Sequence, residues 1–246
     1  MARMLKLVAC AFGFLFVAPL AASAARFALS DAPSEWWRAD RSSAGLVAPA
    51  HEVPQAAVRV LSARVVAWRG AFATHSWLLV KEAGAARWTR YDYTAWGEPI
   101  LVDGFAPDGK WFGATPEIVF AADGEAAARA IPKIRAAVAA YRWRKIGDYR
   151  IWPGPNSNTF VAAMLEAAPE LRARLPATAI GRDYPHDGRW LKGAGDGVAL
   201  RLGGLFGAYV GRRGVELTLL GATAALDLRR PAVELPGLGR IGMRPL

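Results

Sequence analysis

The chain has 246 residues, of which 53% are hydrophobic, and it carries a formal net charge of +10. This length and composition allow one large domain or two small ones with a buried core, and we favour one domain. The basic residues are scattered rather than gathered in a dense stripe, which argues against nucleic acid as a partner. In an exported protein, such a surface instead favours anionic lipid headgroups or acidic envelope polymers.

The amino terminus has the layout of a secretory signal peptide. Arg3 and Lys6 precede an apolar run over residues 7–20, and small residues end at Ala24. Cleavage there would remove two cations and leave a charge of +8. An uncleaved anchor is the alternative, because residues 5–25 are just long enough to cross a bilayer. We therefore expect a protein that is periplasmic, or anchored in the membrane and facing the periplasm.

The sequence gives no sign of a metal site or a cofactor. The one cysteine, Cys10, lies in the amino-terminal segment, so a cleaved chain has neither a disulfide nor a cysteine nucleophile. No glycine-rich phosphate-binding spacing indicates a dinucleotide or a nucleoside triphosphate. Asp183, His186 and Asp187 are metal-ligand types, but they follow one another in an irregular loop, residues 177–197. We interpret them as a surface loop.

After residue 24, we predict a strap over residues 25–54 and a single α+β domain over residues 55–246. Trp36 and Trp37 either pin the strap to a core or lie in a lipid interface, and we favour packing. Strands are predicted at 56–68, 71–81 and 87–96, the last two forming a hairpin of an antiparallel sheet. Asp123 is a predicted N-cap for a helix over residues 126–141, which Pro132 should kink or restart. Short apolar runs between glycines predict a carboxy-terminal β meander over residues 198–228.

His75 is the first candidate site residue. It lies within an apolar strand, where a neutral imidazole needs a partner. A two-residue turn at Ala83-Gly84 would place Asp92 opposite it, whereas a turn one residue longer would place Tyr93 there. The sequence leaves this register open. It also leaves open whether His75 is a satisfied core residue or a catalyst.

The second candidate is the stretch from Trp152 to Leu165. Prolines at 153 and 155 keep a helix from starting before Asn156, and Asn156 and Ser157 are both strong N-cap types. The unpaired N–H groups at such a helix start suit a carboxylate, a phosphate or an oxyanion. The alternative is that Asn156 or Ser157 only caps a structural helix.

Four blocks of sequence resemble the bacterial family called domain of unknown function 3750. They are ADRSSAG at 39–45, WRGAFATHSW at 68–77, YRIWPGPNSNTFVA at 149–162 and DLRRPAVELPGLGRIG at 227–242. Their agreement in order identifies the chain as a member of this family. Membership implies no activity.

Residues 156–160, NSNTF, also resemble the nucleophile motif of circularly permuted papain-like hydrolases of the NlpC-like kind, with serine in place of cysteine. The resemblance implies a papain-like core in which a strand histidine, His75, activates a nucleophile at a later helix start, Ser157. Asp92 or a neighbouring tyrosine would orient the histidine. A serine needs that base within hydrogen-bond reach to be activated.

Two classes of function therefore stay open. In the first, the protein is a hydrolase or an acyl or amide transferase with Ser157, His75 and Asp92 as catalytic residues. In the second, which we favour, the cleft has lost its thiol and only binds a cell-envelope ligand, a glycan, peptide or lipid. The predicted ligand-binding residues are Asn156, Asn158, Trp152 and Tyr93.

Overall fold

The computed structural model describes residues 1–30 and 36–243. Its architecture is mixed α+β with two antiparallel sheets, and it ends in a β meander, as the sequence predicts. The helices are α1 (Ala2–Phe12), continued through a π-helical turn (Gly13–Val17) into α2 (Ala18–Ala28), then α3 (Glu125–Ala139) and α4 (Ser157–Ala167). The strands are β1 Ala57–Arg64, β2 Thr74–Lys81, β3 Thr89–Tyr93, β4 Ile100–Val102, β5 Glu117–Asp123, β6 Leu191–Ala194, β7 Gly197–Leu202, β8 Phe206–Gly211, β9 Gly214–Leu219, β10 Ala222–Asp227, β11 Ala232–Leu235 and β12 Gly239–Gly242.

The first sheet has five strands in the described part of the chain, in the order β4-β3-β2-β1-β5. Successive side chains of a strand point to opposite faces, so this sheet has two distinct cores. Val58, Val60, Leu78 and Val80 pack against α3 and α4, and we call this side the helix face. The other side buries alternate residues of the same strands, including Trp77 and Leu79, under residues 36–53 and the loop 103–114. We call this second side the strap face.

The strap is fastened through buried polar groups. The carboxylate of Asp108 accepts hydrogen bonds from the Ser43 hydroxyl and from the backbone amides of Leu46 and Val47. The indole of Trp88 donates to the carbonyl of Ala48 at 3.0 Å. Trp36 packs edge-to-face on Phe112, while Trp37 is more than half exposed. The predicted packing therefore holds for one of the two tryptophans, and residues 31–35 of the strap lie outside the described residues.

The predicted N-cap of α3 is wrong. Its N-cap is Gly124 rather than Asp123, which belongs to β5 and pairs with Arg59 at 2.7 Å. Pro132 lies inside one continuous helix. The helix therefore does not restart at Pro132, whereas the predicted kink stays a prediction. The buried row of Ala127, Ile131 and Ile134 holds the helix on the sheet across this position.

The hairpin register differs from both alternatives predicted for it. Leu78 pairs with Tyr91 and Val80 with Thr89, so extension of this ladder would place Thr94 opposite His75. The reason is a longer connection, because β2 ends at Lys81 and β3 begins only at Thr89. The observed register differs by two residues from the predicted register that places Asp92 opposite His75. Asp92 therefore keeps the same face of the sheet as His75.

The second sheet is the meander of seven described strands, β6 to β12 in sequence order. One face is polar and turns toward the segment 166–186. Glu216 of β9 pairs with Arg174 and Arg182, and Arg201 of β7 pairs with Glu166 of α4 at 2.5 Å. These partly buried ion pairs attach the meander to the helix side of the first sheet.

The described residues contain one helix long and apolar enough to cross a membrane, Ala2–Ala28, whose most apolar 18-residue window has a mean hydropathy of 2.2. Its carboxy-terminal half packs on the domain. The hydroxyl of Ser23 is buried and donates to the carbonyls of Ala71 and Gly237, and Phe27 contacts Gly70. The helix is compatible with a signal peptide or a membrane anchor.

Candidate functional site

His75 and Asp92 form a buried pair on the strap face. The Nε2 atom of His75 lies 3.1 Å from Oδ1 of Asp92, and the imidazole stacks on Trp111 with ring centroids 3.5 Å apart. Arg90 donates from Nε to Oδ2 of Asp92 at 2.7 Å, and its guanidinium lies over the Trp77 ring. The predicted contact between His75 and Asp92 is therefore present.

The electrostatics of this pair are those of buried polar groups that are hydrogen-bonded within the core. Burial lowers the pKa of His75, and the hydrogen bond to Asp92 only partly opposes this effect. Burial alone would raise the pKa of Asp92, but hydrogen bonds from His75 and the charge of Arg90 outweigh it and lower that pKa. The network thus holds a neutral imidazole against an ionised carboxylate that already has a buried cation as its partner.

Ser157 lies on the other side of the sheet. It begins α4, which packs on the helix face, whereas His75 points to the strap face. The Tyr149 hydroxyl lies close enough to the side chain and backbone of Ser157 for both to oppose the rise in the Tyr149 pKa that burial causes. The structure therefore does not bring Ser157 and His75 together, and the predicted nucleophile–base contact is absent from the described residues. The strand parity of His75 is the physical reason.

The other amides of the α4 start are also occupied. Oδ1 of Asn156 accepts from the amides of Asn158 and Thr159 in a capping box, and the Asn156 carbonyl accepts from Phe160. The amides of Asn158, Thr159 and Phe160 are thus already bonded within the helix start, which leaves them unable to stabilise an oxyanion. The capping interpretation of Asn156 is confirmed.

Asn156 and Asn158 tie α4 to its neighbours. Nδ2 of Asn156 donates to the carbonyls of Ile151 and Ile180, both at 3.1 Å. Nδ2 of Asn158 donates to the carbonyls of Thr74 and Ile180, both at 2.8 Å. Gly181 has φ +95°, and a Cβ there would lie 2.2 Å from the Asn156 amide group. The two predicted ligand-binding asparagines are thus buried and bonded to protein groups through their Nδ2 atoms, while Oδ1 of Asn158 has no partner among the described residues.

The remaining candidates lie apart from one another. Tyr93 is buried on the helix face against Tyr141, Tyr149 and Phe160. Trp152 is half exposed, and its indole donates to the carbonyl of Leu220 in the meander at 3.0 Å. No cluster of three His, Cys, Asp or Glu side chains suited to a metal occurs within residues 1–30 and 36–243. Asp183 accepts from Thr218, whereas His186 lies 2.6 Å from Glu166 and Asp187 pairs with Lys192.

A cleft opens on the approach to α4, beside the prolines of the predicted stretch. It has a volume of about 400 Å³ and is lined by Trp143, Gly147, Asp148, Arg150, Pro153, Gly154, Pro155, Tyr184 and Gly203. Trp143 and Tyr184 meet edge-to-face at 5.7 Å, and the guanidinium of Arg142 lies over the Trp143 ring. In the sequence, residues 142–145 form only a short cluster of positive charge around one tryptophan. Their place beside the loop at 153–155 depends on a tertiary contact that no local pattern encodes.

The chain matches the family of proteins of unknown function DUF3750 over residues 55–184. It belongs to this family. The matched range runs from the start of the first sheet through α4 to the cleft residue Tyr184, and it contains two of the four resembling blocks. No curated protein and no solved structure matches the chain. The DUF3750 region therefore includes both sides of the cleft except Gly203, and the meander follows it.

Proposed function

We propose that this protein is an exported, membrane-anchored binding protein of the cell envelope, facing the periplasm, which holds an anionic glycan in the cleft between Trp143 and Tyr184. The observation that carries the proposal is the composition of this cleft. Two aromatic side chains stand beside a carboxylate, Asp148, and a guanidinium, Arg150. Its volume falls within the range of roughly 300–1,000 Å³ that is usual for small-ligand sites.

Each element of the cleft suits one part of an acidic sugar. The aromatic rings offer apolar surface to a sugar ring. Trp143 is fixed in place by Arg142, which lies over its ring, and by its edge-to-face contact with Tyr184. The Arg150 guanidinium can pair with a carboxylate in two-pronged geometry. Asp148 can accept hydrogen bonds from hydroxyl groups. The formal charge of +10 of the whole chain favours an anionic partner in addition.

The serine hydrolase alternative has no comparable support among the described residues. Ser157 contacts Tyr149 instead of a histidine, and the amides at the helix start are already bonded. The papain-like core that the resemblance implies stays a prediction, and the binding proposal does not depend on it.

Calorimetric titration of the full-length protein in detergent with a soluble N-acetylmuramyl peptide tests the proposal. Chitobiose serves as the neutral ligand of similar shape. We expect binding of the acidic ligand, a roughly tenfold loss in Trp143→Ala from lost aromatic contact, and loss of the salt dependence in Arg150→Ala. Trp37→Ala is the control, because Trp37 is exposed and lies outside the cleft. Equal affinity for the neutral ligand, or unchanged affinity in Trp143→Ala, would overturn it.

A further inference from the structure

One face of the meander sheet is apolar across all seven strands. Every strand position on this face is Leu, Val, Ile, Phe, Ala or Gly, as the pairing of Val198 with Val210, Val210 with Val215, and Val215 with Leu226 illustrates. Val210 is 64% exposed, and Leu191, Val198, Val215, Leu226 and Ile241 are exposed as well. We call this the apolar sheet face.

The arrangement is the reverse of an ordinary sheet in a water-soluble domain. A half-buried sheet usually turns its apolar side to the core and its polar side to water. Here the polar side, with Glu216 and Arg201, turns to Arg174, Arg182 and Glu166 of the same chain. The protein's own core therefore does not account for the apolar side.

The size of the face also needs an explanation. Seven strands spaced about 4.8 Å apart, with about five residues each, give an area of roughly 500 Å². This is near the upper end for the largest apolar patch of a soluble monomer, and patches of this kind commonly mark a protein or membrane contact.

The amino-terminal helix, which already contacts this sheet, indicates what covers the apolar sheet face. The π-helical turn of the amino-terminal helix contacts β10, and both Phe16 of that turn and Ala224 on the apolar sheet face are buried. The rest of the helix exposes large apolar side chains, including Leu5, Val8 and Phe14. Helix and sheet thus form one continuous apolar surface, of which one part has the length and hydropathy of a membrane segment.

The rim of this surface has the residue types of a membrane interface. Trp190, which is 60% exposed, directly precedes β6. The turns that join β8 to β9 and β10 to β11 contain Arg212, which is exposed, and Arg229, which is half exposed and pairs with Asp196, at one end of the sheet. Arginines at that height suit anionic headgroups. We propose that the apolar sheet face and the exposed side of the amino-terminal helix together rest in the acyl region of the bilayer, so that the meander is a monotopic membrane contact.

Site-directed labelling of the full chain tests this proposal. Val210→Cys and Arg129→Cys, each in a Cys10→Ser background, are labelled with an environment-sensitive fluorophore. They are then reconstituted into phosphatidylethanolamine–phosphatidylglycerol vesicles that contain lipid with a spin label on its acyl chain. Position 129 is an exposed site on α3 and serves as the matched control. Because the amino-terminal helix holds both variants on the vesicle, the difference between them reports the position of the sheet.

We expect the label at position 210 to be blue-shifted and quenched severalfold more strongly by the acyl spin label than the label at position 129. Val198→Cys, on the neighbouring strand and pairing with Val210, should behave as Val210→Cys does and replaces it if that variant misfolds. Equal, weak quenching at 198, 210 and 129 would overturn the proposal. Shielding from the spin label together with 210-to-210 cross-linking into a dimer would also overturn it, because a second copy would then cover the face.

Discussion

His75 and Ser157 lie on opposite faces of the five-stranded sheet, although the sequence places both where a catalytic pair would be expected. His75 meets Asp92 and Trp111 on the strap face, and Ser157 meets Tyr149 at the start of α4. A serine that lacks a base within hydrogen-bond reach keeps its proton and attacks poorly.

Ser157 should therefore be unreactive. A fluorophosphonate probe is expected to leave the wild-type protein unlabelled, and Ser157→Ala should keep the affinity of the cleft for its ligand. Mass spectrometry of probe-treated wild-type and Ser157→Ala proteins makes the measurement. Labelling of the wild-type chain that disappears in Ser157→Ala would show that the hydroxyl is activated and would revive the hydrolase interpretation.

Asn156 should matter more than Ser157 for stability. Its side chain accepts hydrogen bonds from two backbone amides and donates hydrogen bonds to two backbone carbonyls. Asn156→Ala should lower the free energy of unfolding by about 2 kcal/mol or more, since a lost cap costs about 1 kcal/mol and buried groups left without partners add to it. Denaturant unfolding monitored by circular dichroism measures this loss.

Asn156→Ser is the matched control for that experiment. Serine keeps the cap acceptor but not the two amide N–H donors. The free energy of unfolding of Asn156→Ser should therefore lie between those of wild type and Asn156→Ala. Equal stability of wild type and Asn156→Ala would show that the cap does not hold α4.

Acidification should destabilise the strap face. The folded pKa of His75 is lowered by burial, so its contribution to stability is present above the unfolded pKa of about 6.5 and is lost as pH falls through the folded pKa. The pKa of Asp92 is also lowered, and its contribution disappears at more acidic pH in the same direction. The free energy of unfolding should thus decrease as pH falls below about 6.5.

His75→Gln separates the two groups, because glutamine can still donate to Asp92 but does not titrate. Its free energy of unfolding should change less than that of wild type just below pH 6.5 and then fall at the pH where Asp92 titrates. Denaturant unfolding at a series of pH values gives both slopes. Parallel curves for the two proteins would remove His75 as the source of the first decrease.

The sequence was sufficient for features that depend on local patterns. Alternation and glycine turns predicted β1, β2, β3 and the meander, and two proline-flanked cap residues predicted the start of α4. These elements each follow from residues that are neighbours in the chain.

The predictions that failed concern features that depend on contacts between distant parts of the chain. The face on which His75 points follows from the alternation of β2 and from which layer covers each side, and a single histidine does not show this. The Tyr149–Ser157 contact and the meeting of Trp143 with Tyr184 join segments separated by irregular chain. The short apolar runs predicted the meander strands but not which side of that sheet faces outward, because that direction depends on the ion pairs of the opposite side.

The amino-terminal helix should remain in the mature protein. Ser23 lies between the small residues of the predicted cleavage site, and its buried hydroxyl donates to Ala71 at 2.5 Å and to Gly237 at 2.9 Å. Residues 18–28 are helical and packed on the domain, so the site is not presented as an extended segment to a peptidase. Intact-mass analysis of protein from the envelope fraction should therefore give the full-length chain.

Ser23→Leu tests whether docking is the reason. The larger side chain does not fit the buried position, where a Cβ on Gly237 would already lie 2.7 Å from Ser23, so the helix should undock. Ala22 and Ala24 stay in place, and the Ala-x-Ala pattern that a signal peptidase reads is therefore kept. We expect a fraction of this variant to begin at Ala25, whereas Ser23→Ala, which removes the hydroxyl without adding bulk, should stay mostly uncleaved. A wild-type chain that already begins at Ala25 would identify the segment as a removable signal, because a retained anchor cannot yield that mass.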